Sequence, residues 1–258
     1  MYECTFPLLI NSWREAFRAP AAPFIFVQLP AYVRMNDTAL AELREGQLAG
    51  ADRAANVGFA CTADAGDAYN GCIHNRDKSM VGLRTGALLR AMLYGEDVPH
   101  LSPRYASATA AAAGGVVTVT VAVGPPAALA GGLVWVPPSF ASNSSWCPHD
   151  ANRPVNESSC GWFAVQTSDG AWHNASASVS ADGGAVVLSV GGLDASLTAV
   201  ATSNGYADWP VVSVYSGAGL PLVPWTPRNV TASSPFAAAA SAAAGCAARE
   251  AVVAGVAS

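Results

Sequence analysis

The chain has 258 residues and a formal net charge of −5 at pH 7. This length allows one or two domains with a hydrophobic core, and the acidic balance argues against the basic surface of a nucleic-acid-binding protein. Apolar residues reach 52% and charged residues only 12%, but alanine inflates the apolar share, so the composition alone does not indicate a membrane protein.

The first hundred residues alternate between helix and strand patterns. Apolar residues at helical spacing predict a first helix that has Pro7 near its start and ends before Pro20. Phe24–Leu29 is an apolar run between two prolines and predicts a strand that is buried on both faces. A second helix is expected around Leu40–Gln47, and a second buried strand at Val57–Thr62.

A loop with acidic residues and a single histidine follows the second strand. Asp64 and Asp67 lie among turn-prone residues, and His74 comes just before the next helix. Open α/β sheets usually place their chemistry on such loops, at the carboxyl ends of the strands. Position and spacing alone agree equally well with a histidine that has only a structural role.

The helix after His74 has recognisable start and stop signals. Asn75 or Asp77 is available as the N-cap, apolar residues recur from Met80 to Tyr94, and Gly95 is placed to end the helix. The order helix, strand, helix, strand, helix is half of a parallel α/β sandwich. Because two strands cannot make such a sheet alone, we expect further strands to belong to it.

The pattern changes after about residue 100. Ala106–Ala113 has low complexity, and Val116–Val123 alternates as a half-buried strand does. The uncharged stretch 106–124 could be mistaken for a membrane span, but its alternating threonines and its glycine pair favour a strand. Hairpin turns are expected at Ser168–Gly170 and Asp182–Gly184. Further strands are predicted at Leu133–Val136, Gly161–Thr167, Ala185–Val190 and Leu197–Ala201.

Cysteines and glycosylation triplets suggest a secretory route. Cys147 and Cys160 flank a polar loop and are expected to form a disulfide, and Cys61 and Cys72 are a plausible second pair. Cys4 and Cys246 are expected to be free or paired outside this chain. No Cys or His spacing supports a zinc site. Asn-x-Ser/Thr triplets stand at Asn36, Asn143, Asn156, Asn174 and Asn229.

The beginning of the sequence does not match that route. No signal peptide opens the chain, since Met1 is followed almost at once by Glu3 and a helical pattern. A secreted protein without a signal suggests an incomplete N-terminus. The Ala/Ser-rich residues 228–258 offer little apolar area to bury, so we expect a disordered or weakly helical tail there.

Several motifs, in the same order, resemble the sialate O-acetylesterases of the SGNH-hydrolase superfamily. DAGD followed by IHNRDKSMVGLR is similar to the family's histidine block of D-x-G-D, I-H-P-R-D-K and a V-G-x-R-L helix. YECTFPLLINSWREAF, FIFVQLPAY, LREGQ, YADWP and GLPLVPW agree as well. The resemblance runs from about Tyr2 to about Trp225, strongly before Gly95 and sparsely through the middle.

The resemblance implies an architecture in three parts. Residues 1–100 would be the C-terminal half of an SGNH-type parallel α/β/α sandwich, followed at 101–227 by a β-sandwich-like domain and at 228–258 by the tail. In the family the missing strands lie upstream and carry the serine nucleophile in a G-x-S block. This chain has neither that block nor a G-x-S-x-G elbow. It would therefore hold the base of an acyl-transfer site without its nucleophile.

The implied reaction is the hydrolysis of an acetyl ester on a sugar hydroxyl, with no metal or organic cofactor. His74 would act as the general base, and an acid would orient its imidazole. The superfamily often places that acid three residues before the histidine, where this chain has Gly71, and Asn75 replaces the usual proline after it. Asp67 is therefore our first choice for the acid and Asp64 our second.

The implied partner is an O-acetylated sugar, with no nucleic acid and no membrane span, and the sequence does not indicate an oligomeric state. The implied location is the secretory pathway, either extracellular or lysosomal. The rival hypothesis is a non-catalytic carbohydrate-binding or structural remnant whose working part is the β-rich domain. Its tryptophans at positions 135, 162, 172 and 209 would then stack on sugar rings.

Overall fold

The computed structural model describes residues 2–32, 38–66, 73–136 and 162–232. Several sequence predictions fall outside these residues. They are the roles of Asp67, Cys72, Cys147, Cys160 and Cys246, the triplets at Asn36, Asn143 and Asn156, and the tail from 233 onward.

The first region alternates helix and strand, as predicted. Its two strands pair in parallel, with the register running from Phe24 opposite Val57 to Val27 opposite Ala60. The fold is therefore a mixed α/β fold. The elements are α1 (Tyr2–Ala16), β1 (Phe24–Val27), α2 (Ala39–Ala51), β2 (Val57–Ala60) and α3 (Ser79–Tyr94).

Helix α3 ends at Gly95, as its sequence predicts, but its N-cap residue is Lys78 rather than Asn75 or Asp77. Asp77 Oδ1 accepts hydrogen bonds from the Ser79 backbone N–H at 2.8 Å and from its hydroxyl at 2.6 Å. Gly95 has φ of 67° and takes the left-handed conformation that closes many helices. The start of α1 differs from the prediction. The helix already begins at Tyr2, so Pro7 lies inside it rather than at its first turn.

The helices cover both faces of the two-stranded sheet. Phe6 and Ile10 of α1 and Leu48 of α2 share a core with Phe26 of β1. Gly58 of β2 points the other way, because side chains alternate along a strand. A Cβ at Gly58 would lie 2.6 Å from Met92 Sδ and 3.1 Å from Leu88 Cδ2, both on α3. Helix α3 therefore packs on the face opposite α1 and α2.

The remaining described residues form mainly antiparallel strands. In the described part of the chain, one sheet has the order β12-β10-β6-β7, a second has the order β13-β3-β4-β9-β8, and β11 pairs with β5. The strands are β3 (Arg104–Ala113), β4 (Val116–Gly124), β5 (Leu133–Trp135), β6 (Phe163–Thr167), β7 (Trp172–Asn174), β8 (Ser176–Val179), β9 (Ala185–Val190), β10 (Ala199–Asn204), β11 (Val214–Ser216), β12 (Trp225–Asn229) and β13 (Thr231–Ala232).

The two larger sheets of this β-rich region share one apolar core. Alternate residues of β4 point inward, and Val117, Val119 and Val121 are all at most 1% exposed. They meet Leu188 of β9 and Phe163 of β6 in the same cluster. The alternation of valine and threonine in the sequence thus corresponds to one buried and one outer face.

Several sequence predictions for the β-rich region need correction. The low-complexity stretch 106–113 forms most of β3, because β4 pairs with it along its whole length. Strands β7, β8 and β11 to β13 were not predicted. Strand β12 continues to Asn229 and β13 follows it, so the sheets extend past residue 228, where the tail was expected to begin. Within the described residues, no helix is long and apolar enough to cross a membrane.

Polar contacts join the two regions. Arg104 of β3 forms a two-point ion pair with Asp52 at the end of α2, with both N–O distances at 2.8 Å. Arg228 of β12 pairs with Glu45 of α2. Val212 and Val223 from the β-rich region are also part of the core that includes Phe6 and Phe26. The β-rich region therefore completes the core of the α/β region.

Candidate active site

His74 lies on the segment that connects β2 to α3, and its side chain is exposed. A backbone turn follows it, in which the Asp77 N–H donates to Asn75 Oδ1 at 3.0 Å. Asp77 Oδ1 in turn accepts the backbone N–H of Ser79, the first residue of α3. His74 thus sits on a loop at the carboxyl end of a parallel strand, in the position that the sequence predicted.

Asp64, the second choice for the triad acid, is bound by an arginine. Its two carboxylate oxygens accept hydrogen bonds from Arg84 of α3, at 2.6 Å to Nη1 and 2.8 Å to Nη2. The Tyr215 hydroxyl donates to Oδ2 at 3.2 Å. Only 9% of the arginine side chain and 10% of the aspartate side chain are exposed. Both oxygens of Asp64 are therefore already engaged.

The ionisation of this group follows from burial and charge. Burial lowers the pKa of Arg84, but its hydrogen bonds with Asp64 and the negative charge of that residue outweigh burial and raise it. Burial and the neighbouring Asp64 carboxylate raise the pKa of Tyr215 well above its usual range. Arg84 is thus charged and Tyr215 is a neutral donor at physiological pH.

Cys61 corrects one disulfide prediction. It is a free thiol, fully buried at the end of β2, so the expected Cys61–Cys72 bridge is absent. Burial, reinforced by the charge of Asp64, raises the pKa of its thiol to about 12. Its backbone carbonyl accepts a hydrogen bond from Arg84 at 2.7 Å. Cys4, expected to be free or paired outside the chain, is disulfide-bonded.

Gly66, the glycine of the D-A-G-D motif, lies against a buried tryptophan. A Cβ at this position would lie 2.6 Å from Trp209 Cη2 and 2.7 Å from Ala31 Cβ. Trp209 is only 2% exposed, so it is not available to stack on a sugar. Trp135, by contrast, is 36% exposed, and its ring centroid lies 6.2 Å from that of Trp162.

A second buried arginine holds the neighbouring loops. Arg44 of α2 donates hydrogen bonds to the carbonyls of Leu29, Pro30, Ala207 and Asp208 at 2.7–3.1 Å. Burial lowers its pKa to about 10, so it is still charged at neutral pH. Asp208 Oδ1 accepts the Leu40 N–H at 2.7 Å, near the start of α2. These contacts fix the chain that carries Trp209.

A groove of about 440 Å³ lies between α3 and the turn after β11. Its walls include Asp77 and Arg84 on one side and Gly219 and Leu220 on the other. A second groove, of about 600 Å³, lies in the β-rich region between residues 110–112 and 229–231 and has no charged lining residue. The described residues contain no group of acids, histidines and cysteines that could hold a metal ion.

Sequence reasoning missed Arg84 and Tyr215 as parts of this site. Arg84 is the arginine of the V-G-x-R pattern, which predicted a helix but gave no sign of the partner that this arginine binds. Tyr215 lies 151 positions after Asp64, and no local pattern signals such a contact.

Known proteins match part of this chain in sequence and most of it in fold. No family model matches it. Sialate O-acetylesterase from Rattus norvegicus is 36% identical over 112 residues, which cover 37% of this chain and 21% of that protein. Over that part of its length the chain is similar to sialate O-acetylesterases. The enzyme of the same name from Mus musculus is 35% identical over the same share of each chain.

A solved structure extends the likeness across most of the fold. A carbohydrate acetylesterase from Xanthomonas citri matches with a TM-score of 0.65 and 22% identity, covering 87% of this chain and 45% of that one. The chain therefore spans about a fifth of each of the sialate O-acetylesterases it matches and less than half of the bacterial enzyme.

Proposed function

We propose that this chain supplies the general base of a carbohydrate O-acetylesterase, an enzyme that hydrolyses acetyl esters on sugar hydroxyls. The observation that carries the proposal is the exposed position of His74 on the β2–α3 loop. A general base must reach both the nucleophile and the leaving group, so a buried histidine would not serve. The names of the sialate O-acetylesterase relatives support an O-acetylated sialic acid as the substrate.

The proposed reaction is an acyl transfer in two steps. His74 takes the proton of a serine hydroxyl as the serine oxygen attacks the acetyl carbonyl, and then gives that proton to the departing sugar alkoxide. It next takes a proton from water, whose oxygen attacks the acetyl-serine, and returns the proton to the serine as acetate leaves. The serine would come from a block outside this chain, as in the family that the sequence resembles.

The acid that orients His74 is proposed to be Asp67. Asp64 was the other choice, but its carboxylate binds Arg84 and Tyr215. A carboxylate that is held by two other donors is less available to an imidazole. This engagement supports Asp67, which lies outside the described residues.

The α/β region is proposed to be half of an SGNH-type sandwich. Its sheet has only two described strands, β1 and β2. The helices on either side expose large apolar side chains that further strands and helices would cover. They are Leu8, Leu9, Trp13 and Phe17 on or next to α1, and Leu83, Leu89, Leu93 and Tyr94 on α3.

The proposed location is the secretory pathway, extracellular or lysosomal. Disulfides persist in oxidising compartments, and Cys4 is disulfide-bonded. Of the glycosylation triplets, the described residues include Asn174 and Asn229, and Asn229 is exposed at the end of β12. An exposed asparagine is accessible to a glycan.

A second candidate function is sugar binding without catalysis. The exposed Trp135 beside Trp162 favours it, because aromatic faces stack on sugar rings. In that case the chain would bind an acetylated sugar, and substitution of Trp135 rather than His74 would abolish binding.

An esterase assay separates the two candidates. The purified 258-residue chain is expected to show negligible turnover of O-acetylated sialic acid, because it lacks the serine block. A longer form that carries the block should lose roughly 10²- to 10⁴-fold in kcat on His74→Ala. His100→Ala is the matched control, since His100 bonds its own loop through Nδ1 to the Val98 carbonyl.

The same assay tests the acid. Asp67→Asn is expected to lower kcat more than Asp64→Asn if Asp67 orients the imidazole. Turnover by the 258-residue chain that disappears on His74→Ala would place a nucleophile within it. An active His74→Ala variant of the longer form would remove His74 from the mechanism.

A further inference from the structure

The segment that carries His74 is closed at its base by one side chain. Arg84 lies in the second turn of α3, after the segment, and reaches back to residues before it. Its Nη1 donates to the Cys61 carbonyl at 2.7 Å and to Asp64 Oδ1 at 2.6 Å, and its Nη2 donates to Asp64 Oδ2 at 2.8 Å. The guanidinium thus ties the end of β2 to α3 across the whole loop.

The Arg84–Asp64 ion pair is well suited to hold the loop in one conformation. A two-point arginine–carboxylate contact sets the orientation of both groups as well as their distance. Because little of either side chain is exposed, water does not readily replace the contact. Ion pairs of this kind contribute little net stability when buried, but some of them specify one conformation among several.

Tyr215 brings the β-rich region to the same point. It lies on β11, whose neighbour in the sheet is β5, and its hydroxyl donates to Asp64 Oδ2 at 3.2 Å. Its ring also packs beside the core shared by Phe26 and Val212. A shift of β11 would therefore be transmitted to Asp64 and to the start of the loop.

We propose that Asp64, Arg84 and Tyr215 form a positioning set that fixes the loop bearing His74 and couples it to the β-rich region. Asp64 then acts through the loop backbone and not as the acid of a triad. The catalytic meaning of this set rests on the proposed function, whereas its effect on the place of His74 does not.

The test is an NMR measurement on the 258-residue chain, which needs no esterase activity. The imidazole signals of His74 and His173 are assigned from His74→Gln and His173→Gln. Arg84→Gln is expected to shift and broaden the His74 signals and to leave those of His173 unchanged. His173 is a suitable reference because it bonds Thr167 in the β-rich region, at 2.9 Å from Nε2 to Oγ1.

Two further variants complete the test. Tyr215→Phe removes only the hydroxyl and should shift His74 in the same direction by less. Arg90→Gln is the matched control on the same helix, because Arg90 pairs with Glu96 and is half exposed, and it should change neither histidine. If Arg84→Gln does not fold, with His173 signals lost, Tyr215→Phe decides the question.

The His74 signals of these variants either support or overturn the proposal. His74 signals that stay unchanged in both Arg84→Gln and Tyr215→Phe overturn it. Asp64→Asn gives a second way to overturn the proposal. If only this variant changes the His74 signals, by lowering the titration midpoint of His74 without broadening, then Asp64 is the partner of the imidazole. If Arg84→Gln and Tyr215→Phe both shift the His74 signals but the longer form has no esterase activity, the positioning set is supported and the proposed function is rejected.

Discussion

The two regions of this molecule are held together by different interactions. The β-rich region buries alternate valines and leucines of β4 and β9 between two sheets, in one large apolar cluster. The α/β region has a smaller cluster and leaves Trp13 and Phe17 exposed by 51% and 79%. Among the described residues, the buried arginines all belong to the α/β region.

Each helix of the α/β region carries one of these arginines. Arg14 of α1 donates to the carbonyls of Ala22, Ala55 and Asn56, at 2.8–3.1 Å. In the same manner, Arg44 donates to the Leu29 carbonyl, and Arg84 donates to the Cys61 carbonyl and to Asp64. Apart from the carbonyls of Ala207 and Asp208, the acceptors lie on the loops that enter or leave the two strands. Where the sheet is too small to bury much apolar area, charge-assisted hydrogen bonds therefore fix the loops.

We expect the loss of one buried arginine to lower the free energy of unfolding as much as the loss of a central core leucine does. Arg44→Met removes four hydrogen bonds to loop carbonyls and the positive charge that interacts with Asp208. We expect the free energy of unfolding to fall by roughly 3 to 5 kcal/mol. Urea unfolding followed by circular dichroism measures it. The exposed Arg90→Met should cost less than about 1 kcal/mol, and equal losses would break the comparison.

The β-rich region should respond to lost apolar volume instead. Leu188→Ala empties a fully buried site in β9, and we expect a loss of roughly 2 to 5 kcal/mol. Leu89→Ala makes the same change on α3, where the side chain is 39% exposed, and should stay within about 0.5 kcal/mol. Matched urea titrations of the two variants give the difference. Similar losses at both sites would mean that α3 is packed as tightly as β9.

The acidic loop should be sensitive to added volume. Gly66→Ala places a methyl group 2.6 Å from the Trp209 ring, and we expect a loss of roughly 1 to 3 kcal/mol from overpacking. Gly82 lies in α3 with no atom within 4 Å of the equivalent position. Gly82→Ala should therefore stabilise the protein by roughly 0.5 to 1 kcal/mol. Thermal unfolding of both variants checks the opposite signs, and two stabilising changes would contradict the close contact.

A further expected effect is a loss of stability at alkaline pH. Burial raises the pKa of Cys61 to about 12, whereas an unfolded thiol titrates near 9. The unfolded state therefore releases this proton first, so the stabilisation is complete below pH 9 and declines as pH rises towards 12. We expect a loss of about 1 kcal/mol between pH 8 and pH 10.

Urea titrations of the wild type and Cys61→Ala at pH 8 and pH 10 provide the measurement. The variant should lose less stability than the wild type over this interval. Equal losses would show that Cys61 titrates alike in the folded and unfolded chain.

Local sequence patterns predicted the elements whose signals lie within one stretch of chain. Helix α3 has its stop at Gly95, and β9 lies where it was expected. The short strands β7, β8 and β11 were missed, because three or four residues carry little periodicity of their own. The alanine-rich β3 was missed because it becomes a strand by pairing with β4, a partner that its own composition does not indicate.

Local sequence patterns likewise predicted only part of the candidate active site. The exposure and place of His74 follow from a strand, a loop and a helix start that are adjacent in sequence. The partners of Asp64 do not, because Arg84 and Tyr215 come from 20 and 151 positions away. A carboxylate in a motif shows that an acid is needed there, but its neighbours in space decide which group it binds.

The contacts of Arg44 and Asp208 also bear on the order in which the chain folds during synthesis. The carbonyls of Ala207 and Asp208 reach Arg44 across more than 160 positions, and Val212 and Val223 complete the core around Phe26. The helices made first therefore lack these partners until the ribosome has passed residue 223. Until then the α/β region exposes apolar surface and polar groups that are paired only in the complete fold. Chaperones bind such partly folded states.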